Sequence, residues 1–310
     1  MRHGDGRAVV NLSLRLLRAF VVVSDEGHVG RAAARLFVSQ PSLSQDIRRL
    51  EREAGVTLFD RGPKGLTLTA PGEVLLRSVE AALIVLDHGI ADAQDLAAGG
   101  RSTVRIAYSP SLGNEFIPAL IPLLERHVAA LDVEEHELDT GQVGPAVASG
   151  KFDIGFAHCP SPDPQLLATH LVDEPLCVAL AKGHSLARQQ SVRLSELSDS
   201  SLLIWPRDTA PEYYDAILSI CRQAGLGLRS VKEFRRITPR SYLLDDKQTF
   251  SLLPKSAASL PRPEVTFVQI EDSEWTIPLM FLRRAEDNRT ELNLIESLAR
   301  STSQTLSASS

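Results

Sequence analysis

Hydrophobic and polar residues follow a helical period in the first part of the chain. Apolar positions recur from residue 13 to about residue 24, with Ser13 as the predicted N-cap. A short alanine-rich helix is predicted over residues 31–37 with Gly30 as its N-cap, and its small side chains would let another helix cross closely. The pattern therefore predicts two helices packed together at the start of the chain.

A third helix is predicted from the stretch VSQPSLSQDIRRLER, residues 38–52. Ser39 is its predicted N-cap, and Pro41 is tolerated because first-turn amides have no partner within the helix. One apolar stripe runs along it, formed by Leu43, Ile47 and Leu50. Residues 59–69 then alternate as a β-hairpin with the tip Gly-Pro-Lys-Gly. Two helices joined by a tight turn and followed by a hairpin are typical of a winged helix-turn-helix.

The period of the apolar positions changes twice beyond the hairpin. Residues 71–98 keep a helical stripe until two glycines end it, which predicts a long linker helix. From residue 103 strands and helices alternate, and the chain returns to its first α/β unit near residues 275–284. This alternation predicts α/β units on a parallel sheet, with ligands bound beyond the carboxyl ends of the strands.

Charge is divided unevenly along the 310 residues, whose net charge is −6. Residues 1–70 hold 11 Lys and Arg against 7 Asp and Glu, a balance of +4, whereas residues 71–310 hold 22 against 32, a balance of −10. A basic head on an acidic body is expected when one end meets a polyanion. No apolar run approaches the roughly 18 residues of a membrane span, and the first residues lack a signal-peptide core. The expected compartment is therefore the cytoplasm, with no membrane partner.

The sequence lacks the motifs of common enzymes and cofactor sites. We find no GxGxxG, Walker loop, GxSxG or metal-ligand spacing, and His136-Glu137 is not followed by the second histidine of HExxH. We therefore predict no enzyme, no cofactor and no metal site. The cysteines Cys159, Cys177 and Cys221 are widely spaced, which leaves buried reduced thiols and a redox-sensing pair open. A solute-binding protein would share α/β lobes but would need an export signal and no basic head.

The start of the third helix carries residue types that recognise bases. Gln forms a bidentate pair with adenine, Ser bonds to base edges or phosphates, and Pro or Leu carbons rest on a thymine methyl. Free first-turn amides favour a phosphate, and Arg31, Arg48 and Arg49 can hold the DNA backbone, as can Arg61 and Lys64 on the hairpin. Arginine-rich amphipathic helices are also plain solvated surfaces in all-α proteins, so periodicity alone leaves both interpretations open.

Three runs with their spacing are more specific: AARLFVSQPSLS, LEREAGVTLF and LTAPG. Over residues 13–73 they resemble, without gaps, the DNA-binding domain of the LysR-type transcriptional regulators. The resemblance implies base contacts and contacts to the backbone or minor groove, and the predicted DNA-binding residues are Arg31, Ser39, Gln40, Pro41, Ser42, Ser44, Gln45, Arg48, Arg49, Arg61 and Lys64. The sequence departs at residues 28–30, His-Val-Gly, where the family usually has Ser, an aromatic and Thr; we expect this to cost a side-chain cap.

The resemblance extends over nearly the whole chain. It implies an α/β protein with an all-α N-terminal part: a winged helix-turn-helix domain over 12–70, a linker and dimerisation helix over 71–98, and an effector-binding domain over 103–305. That domain would be built like a periplasmic binding protein, with lobe I at about 103–165 and 271–300 and lobe II at about 166–270.

The implied function is transcription regulation. The chain would bind a pseudo-palindromic operator in double-stranded DNA and sense a small-molecule effector, an organic anion or pathway metabolite. It would act as a homodimer or homotetramer, and RNA polymerase is a further partner to be tested.

Polar residues at the predicted strand exits are the candidates for effector contact. Ser109 and Ser111 follow the first strand, Thr140 follows the second, and Arg207 and Thr209 stand at the corresponding exit of the second lobe. Hydroxyls at such places also cap helices, and the resemblance favours effector contact. The family usually has an Ala-Ala-Gly-x-Gly turn where this chain has LLDDKQTF, residues 243–250, so we expect an unusual effector or a partly closed cleft.

Overall fold

A computed structural model of the chain describes residues 12–62, 65–128, 131–233, 247–259, 264–271 and 274–308. By its internal contacts it divides into two compact units, Met1–Ala91 and Asp92–Ser310. Two predicted features fall in part outside the described residues: the first four residues of LLDDKQTF, 243–246, and the wing-tip residues Pro63 and Lys64.

The first unit begins with three helices and a hairpin. These elements are α1 Leu14–Glu26, α2 Val29–Arg35, α3 Gln40–Ala54, β1 Phe59–Gly62 and β2 Gly65–Leu68. One apolar core joins them, because the stripe of α3 packs against Leu16, Phe20 and Val23 of α1. Phe20 also meets Phe59 of the hairpin edge to face, with 5.4 Å between ring centroids. The all-helical head with a wing follows the hydrophobic pattern of the sequence.

Helix caps set the boundaries of these helices. Ser13 and Ser39 cap α1 and α3 as predicted, accepting hydrogen bonds from Leu16 N and Ser42 N. The predicted start of α2, with Gly30 as its N-cap, was wrong. The helix begins at Val29, and His28 is its N-cap. The Nδ1 atom of His28 accepts a hydrogen bond from Gly30 N at 3.0 Å. The departure from the family's usual residues therefore keeps a side-chain cap, with an imidazole nitrogen in place of a hydroxyl.

The linker helix α4 spans Ala70–Ala97, one residue from the predicted bounds at each end. Its residue Val79 is buried in the core of the head. Further along, apolar side chains of α4 are exposed on the single chain, namely Val85, Leu86, Ile90 and Leu96. A helix that leaves such side chains exposed has an apolar surface available for a partner.

The second unit opens with a first lobe, lobe I. Its elements are β3 Ser102–Tyr108, α5 Phe116–His127, β4 Leu131–Glu137, α6 Val143–Ala148 and β5 Ile154–His158. Two elements from the end of the chain complete it, β12 Thr276–Arg284 and α8 Thr290–Ala308. Helices α5 and α8 pack on one sheet face through residues such as Ile106, Leu120 and Ile295, whereas α6 packs on the other.

The long strand β6, Leu166–Ala181, connects lobe I to lobe II. Its first half, to Pro175, pairs with β12 of lobe I, and its second half pairs with strands of lobe II. Lobe II contains β7 Ser191–Val192, β8 Ser201–Ile204, α7 Pro211–Gln223, β9 Ser230–Glu233, β10 Thr249–Pro254 and β11 Val265–Ile270. The boundary suggested at residue 166 thus falls ten residues before the strand leaves the sheet of lobe I.

The sheets are mixed, which corrects the prediction of a parallel sheet. In lobe I, β3 is parallel to β4 and β5, but β12 runs antiparallel to both β5 and β6. In lobe II, β10 is parallel to β8 and antiparallel to β6. Strand β6 enters the sheet of lobe II from lobe I, and β12 enters the sheet of lobe I from lobe II. Each of them therefore runs opposite to the strands of the βαβ unit in the sheet that it enters.

Candidate DNA interface and effector cleft

The candidate DNA interface begins at the first turn of α3. Residues 37–41 are all exposed, and so is Gln45, whereas Ser42 and Ser44 are half-buried. The stripe of Leu43, Ile47 and Leu50 is buried beneath them, so the helix is anchored by one face. Ser39, Gln40, Pro41 and Gln45 are therefore accessible at the surface of the head.

The predicted arginines differ in their intramolecular partners. Arg31 contacts Glu26 through its side chain and through the backbone carbonyl, and Arg49 donates to Glu53 at 2.7 Å. The hydrogen bond and charge of Glu53 raise the pKa of Arg49. Within the described residues no ion pair involves Arg48 or Arg61, and both are exposed. These two arginines are the better placed to exchange water for phosphate.

Lys64, the remaining predicted contact, lies outside the described residues, as does Pro63 beside it. The strands that carry the wing are described and pair in register from Phe59 with Leu68 to Gly62 with Gly65.

The candidate effector residues of lobe I stand where its strands end. Ser109 follows β3 and is 2% exposed, and Ser111 lies in the short 3₁₀ helix Pro110–Gly113. The Oγ atom of Ser109 caps no amide and has no hydrogen-bond partner among the described residues. A buried hydroxyl without a partner is costly, which favours the ligand-contact interpretation of Ser109 over the helix-cap one.

The loop after β4 in lobe I and the loop after β8 in lobe II approach each other at Thr140 and Thr209. Thr140 is buried after β4, and the next residue, Gly141, has φ of +96°. A Cβ built on Gly141 would lie 2.0 Å from the carbonyl oxygen of Thr209, so only glycine allows this close approach. The structure therefore brings Thr140 and Thr209 to one place, across the cleft between the lobes.

Arg207 stands apart from these hydroxyls. Its guanidinium forms a bidentate pair with Asp215 of α7, with nitrogen–oxygen distances of 2.9 and 2.7 Å, and both side chains are exposed. The hydrogen bond from Arg207 lowers the pKa of Asp215. An effector anion would have to compete with this carboxylate for Arg207, whereas Ser109 offers a hydroxyl with no competing partner among the described residues.

A cavity of about 280 Å³ lies between lobe I and the 3₁₀ helix Lys255–Ser259. Leu112, the residue after Ser111, lines it, whereas the predicted hydroxyl residues themselves are not in its lining. Its apolar wall is formed by Leu112, Phe116, Val172, Leu279 and Leu306. Glu174, Lys255 and Ser256 supply polar groups, and the Oγ atom of Ser256 is buried without a partner among the described residues. A mostly apolar cavity with a few converging polar groups has the character of a small-molecule site.

A buried histidine–carboxylate pair, His158 and Glu174, stands at the point where β6 crosses between the lobes. The Nε2 atom of His158, at the end of β5, donates to Glu174 at 2.7 Å, and Ser256 N donates to the same carboxylate at 2.7 Å. Burial would raise the pKa of Glu174, but the charge of His158 and the hydrogen bonds from His158 and Ser256 together hold that pKa below its ordinary value. Glu174 thereby links β5 of lobe I to the 3₁₀ helix of lobe II.

Sequence reasoning missed His158, Glu174 and Ser256. The one available signal was Glu174 itself, a carboxylate within the otherwise apolar run LVDEPLCVALA. Its partners are separated from it by 16 and 82 positions, so no local spacing joins them.

The environments of the three cysteines favour buried reduced thiols over a redox-sensing pair. Burial raises the pKa of Cys159 and Cys221 to about 11 and that of Cys177 to about 12, and all three thiols are free. A thiol with a raised pKa holds little of the reactive thiolate.

In the part of the chain that the structure describes, no helix has the length and apolar character to cross a bilayer.

The winged helical head and the two-lobed domain with its cleft together define a DNA-binding regulator with a ligand-binding domain. The family model of the bacterial regulatory helix-turn-helix proteins of the lysR family matches residues 14–73, and that of the LysR substrate binding domain matches residues 97–301. The chain therefore belongs to the LysR family of transcriptional regulators. It is a sequence-specific regulator with an effector-binding domain, not an enzyme.

Named relatives extend over most of the chain. The HTH-type transcriptional regulator AlsR of Bacillus subtilis (strain 168) is 30% identical over 86% of this chain and 89% of its own length. The regulator BenM of Acinetobacter baylyi (strain ATCC 33305 / BD413 / ADP1) is 28% identical over 93% of this chain and 95% of its own length.

Two solved structures are similar in fold. Full-length CbnR in complex with its target DNA is 22% identical, with a TM-score of 0.74, over 94% of this chain and all of that chain. The effector binding domain of BenM with its effector benzoate is 25% identical, with a TM-score of 0.55, over 66% of this chain and 93% of that chain. The family models and the relatives confirm the family and the regulatory function predicted from the sequence, and the solved structures agree with its two-part architecture.

Proposed function

We propose that the start of α3 reads the operator of this regulator. Gln40, Pro41, Ser42, Ser44 and Gln45 contact bases, because the first turn is exposed while the apolar stripe behind it is buried. That division of one helix into a buried stripe and an exposed polar start is the observation that carries the proposal.

The test is selection of duplexes from a random pool by the full chain and by a Gln40→Ala variant. We expect the variant to lose preference at one base position, with an affinity loss of about 1–3 kcal/mol for the selected duplex. An equal loss of affinity for every duplex would mean that Gln40 only positions the protein. A gel shift with unrelated competitor DNA separates a regulator from a free-standing ligand binder.

Backbone contacts are proposed for Ser39, Arg48 and Arg61, with Arg31, Arg49 and Lys64 as further contacts. Arg48 and Arg61 lead this set, since among the described residues neither is held by a carboxylate. Arg31 and Arg49 would first have to leave Glu26 and Glu53, which reduces their gain on meeting phosphate.

For the effector we propose a small organic anion, bound at the strand exits by Ser109, Ser111, Thr140 and Thr209. The unpartnered hydroxyl of Ser109 supports this placement, and so does the approach of Thr209 to the loop after Thr140. The cavity lined by Leu112, one residue after Ser111, would take the apolar body of the ligand. Arg207 is a secondary candidate, because Asp215 holds it at the surface.

Calorimetric titration of a panel of aromatic and aliphatic carboxylates, with benzoate as one of them, tests this proposal. We expect Ser109→Ala to weaken binding of any active carboxylate, since one hydrogen bond to a charged group is worth about 1.5–3 kcal/mol. Arg207→Ala serves as the comparison and should weaken binding less. Binding that is unchanged in Ser109→Ala but lost in Arg207→Ala would reverse the assignment.

We propose that the chain assembles as a homodimer through α4, and as a homotetramer from two such dimers. The exposed apolar side chains of α4 support this, and a symmetric assembly suits a pseudo-palindromic operator. The functional divisions would be residues 12–70, 71–98 and 103–305. The cytoplasm is the proposed location, and RNA polymerase the proposed protein partner at the promoter.

A further inference from the structure

The turn between α2 and α3 contains a residue type that its backbone disfavours. Val38 N donates to Ala33 O at 3.0 Å, and Phe37 N donates to Ala34 O at 3.2 Å. These two bonds form the Schellman ending of α2 and place Phe37 in the left-handed region, with φ of +55°. Glycine is the usual residue at this position, followed by asparagine, because a Cβ is strained there.

Packing does not explain the phenylalanine. Phe37 is 96% exposed, so its ring contributes almost nothing to the core of the head. A glycine or asparagine would make the same turn with less backbone strain and without an apolar ring in water. Folding alone therefore favours another residue at position 37, and a contact outside the chain is the remaining reason for a ring.

The position of the ring indicates the kind of contact. Phe37 stands two residues before the N-cap Ser39, in the exposed run of residues 37–41 that opens the recognition helix. Val38 is 40% exposed beside it, and Leu36 on its other side is half-buried against the core of the head. Exposed polar residues, Arg35 and Ser39, flank this apolar run of three. A protein-binding patch is normally a contiguous apolar area of several hundred Å², larger than one ring and one valine provide. The walls of a DNA groove, in contrast, offer deoxyribose carbons and thymine methyl groups to a single apolar side chain.

We propose that the ring of Phe37 packs on duplex DNA, against a deoxyribose or a thymine methyl at the edge of the groove that α3 enters. The contact positions the helix start and supplies affinity without charge. The proposal rests on the proposed role of α3 in reading the operator.

The test uses the full chain and the duplex that the wild-type chain selects from a random pool. Phe37→Asn should bind that duplex about tenfold more weakly, the factor expected when roughly half of a ring no longer leaves water on binding. Its salt dependence should match the wild type, because no phosphate contact is lost. Its melting temperature should be equal or higher, because asparagine tolerates the left-handed conformation. Phe37→Tyr should bind within about threefold of the wild type, since it keeps the ring.

Leu294→Ala is the matched control, because Leu294 is another exposed apolar side chain and lies in α8 of the second unit. It should leave DNA affinity unchanged. Equal affinity of Phe37→Asn and wild type would refute the contact, and normal DNA affinity with a loss of transcription from a reporter would assign the ring to a protein partner instead. A wild-type chain that selects no duplex would refute the role of α3 itself, which is a distinct result.

Discussion

Replacing Glu174 by glutamine removes the charge that ties the two lobes at their crossing strand while keeping the side-chain shape. Glu174 accepts from His158 and from Ser256 N, both at 2.7 Å, and its side chain is 11% exposed. Hydrogen bonds to charged groups contribute about 1.5–3 kcal/mol and neutral ones about 0.5–1.5 kcal/mol. Two bonds that change from charged to neutral should therefore lower the free energy of unfolding by about 2 kcal/mol.

Urea unfolding followed by tryptophan fluorescence measures this loss in the second unit, which contains Glu174. Both tryptophans of the chain, Trp205 and Trp275, belong to the second unit. With a denaturant slope of about 3 kcal/mol per molar, a loss of about 2 kcal/mol lowers the urea midpoint by roughly 0.7 M. The matched control is Asp173→Asn, the neighbouring residue, whose pair with His170 at 2.9 Å is exposed on both sides. That variant should change the free energy of unfolding by less than about 0.5 kcal/mol.

The pH dependence provides a second check. The pKa of Glu174 is lowered in the folded chain, so its charge stabilises the fold fully above the ordinary value of 4.5 and the stabilisation is lost as pH falls through the lowered pKa. The difference between wild type and Glu174→Gln should be present at pH 5 and should shrink as pH falls below 4.5. A midpoint equal to that of Asp173→Asn, or a difference that does not shrink below pH 4.5, would refute the role of the Glu174 charge.

Three further predictions concern other parts of the chain. Arg48→Ala should lower the slope of log affinity against log salt by about 0.9, and Arg49→Ala by less, because Glu53 already neutralises Arg49; DNA titrations at several salt concentrations measure both slopes. Ile90→Asp should dissociate the proposed dimer, as sedimentation would show by a fall to monomer mass, because it places a charge among the exposed apolar residues of α4. Gly141→Ala should destabilise the second unit by at least about 1–3 kcal/mol in the same fluorescence assay, because its Cβ would meet the carbonyl oxygen of Thr209; an unchanged midpoint would contradict the close approach of the lobes.

Local features of the DNA-binding head could be predicted from the sequence because they depend on short-range spacing. The stripe of Leu43, Ile47 and Leu50 is buried as expected, and Ser39 caps α3. Even the pairing of Arg49 with Glu53 follows from a spacing of four along one helix. The start of α2 differs from its predicted position for a local reason: the ring nitrogen of His28 accepts from Gly30 N, as a serine hydroxyl at an N-cap would.

The sequence by itself determined the family, the order of the elements in the DNA-binding head and linker, and the buried stripe and polar start of α3, since all of these are encoded by residues a few positions apart. Only the tertiary structure decided the antiparallel entry of β12, the meeting of Gly141 with Thr209, and the link from Glu174 to His158 and Ser256. These depend on pairing across the two lobes, where partners lie many positions apart and the chain must fold before their atoms can meet.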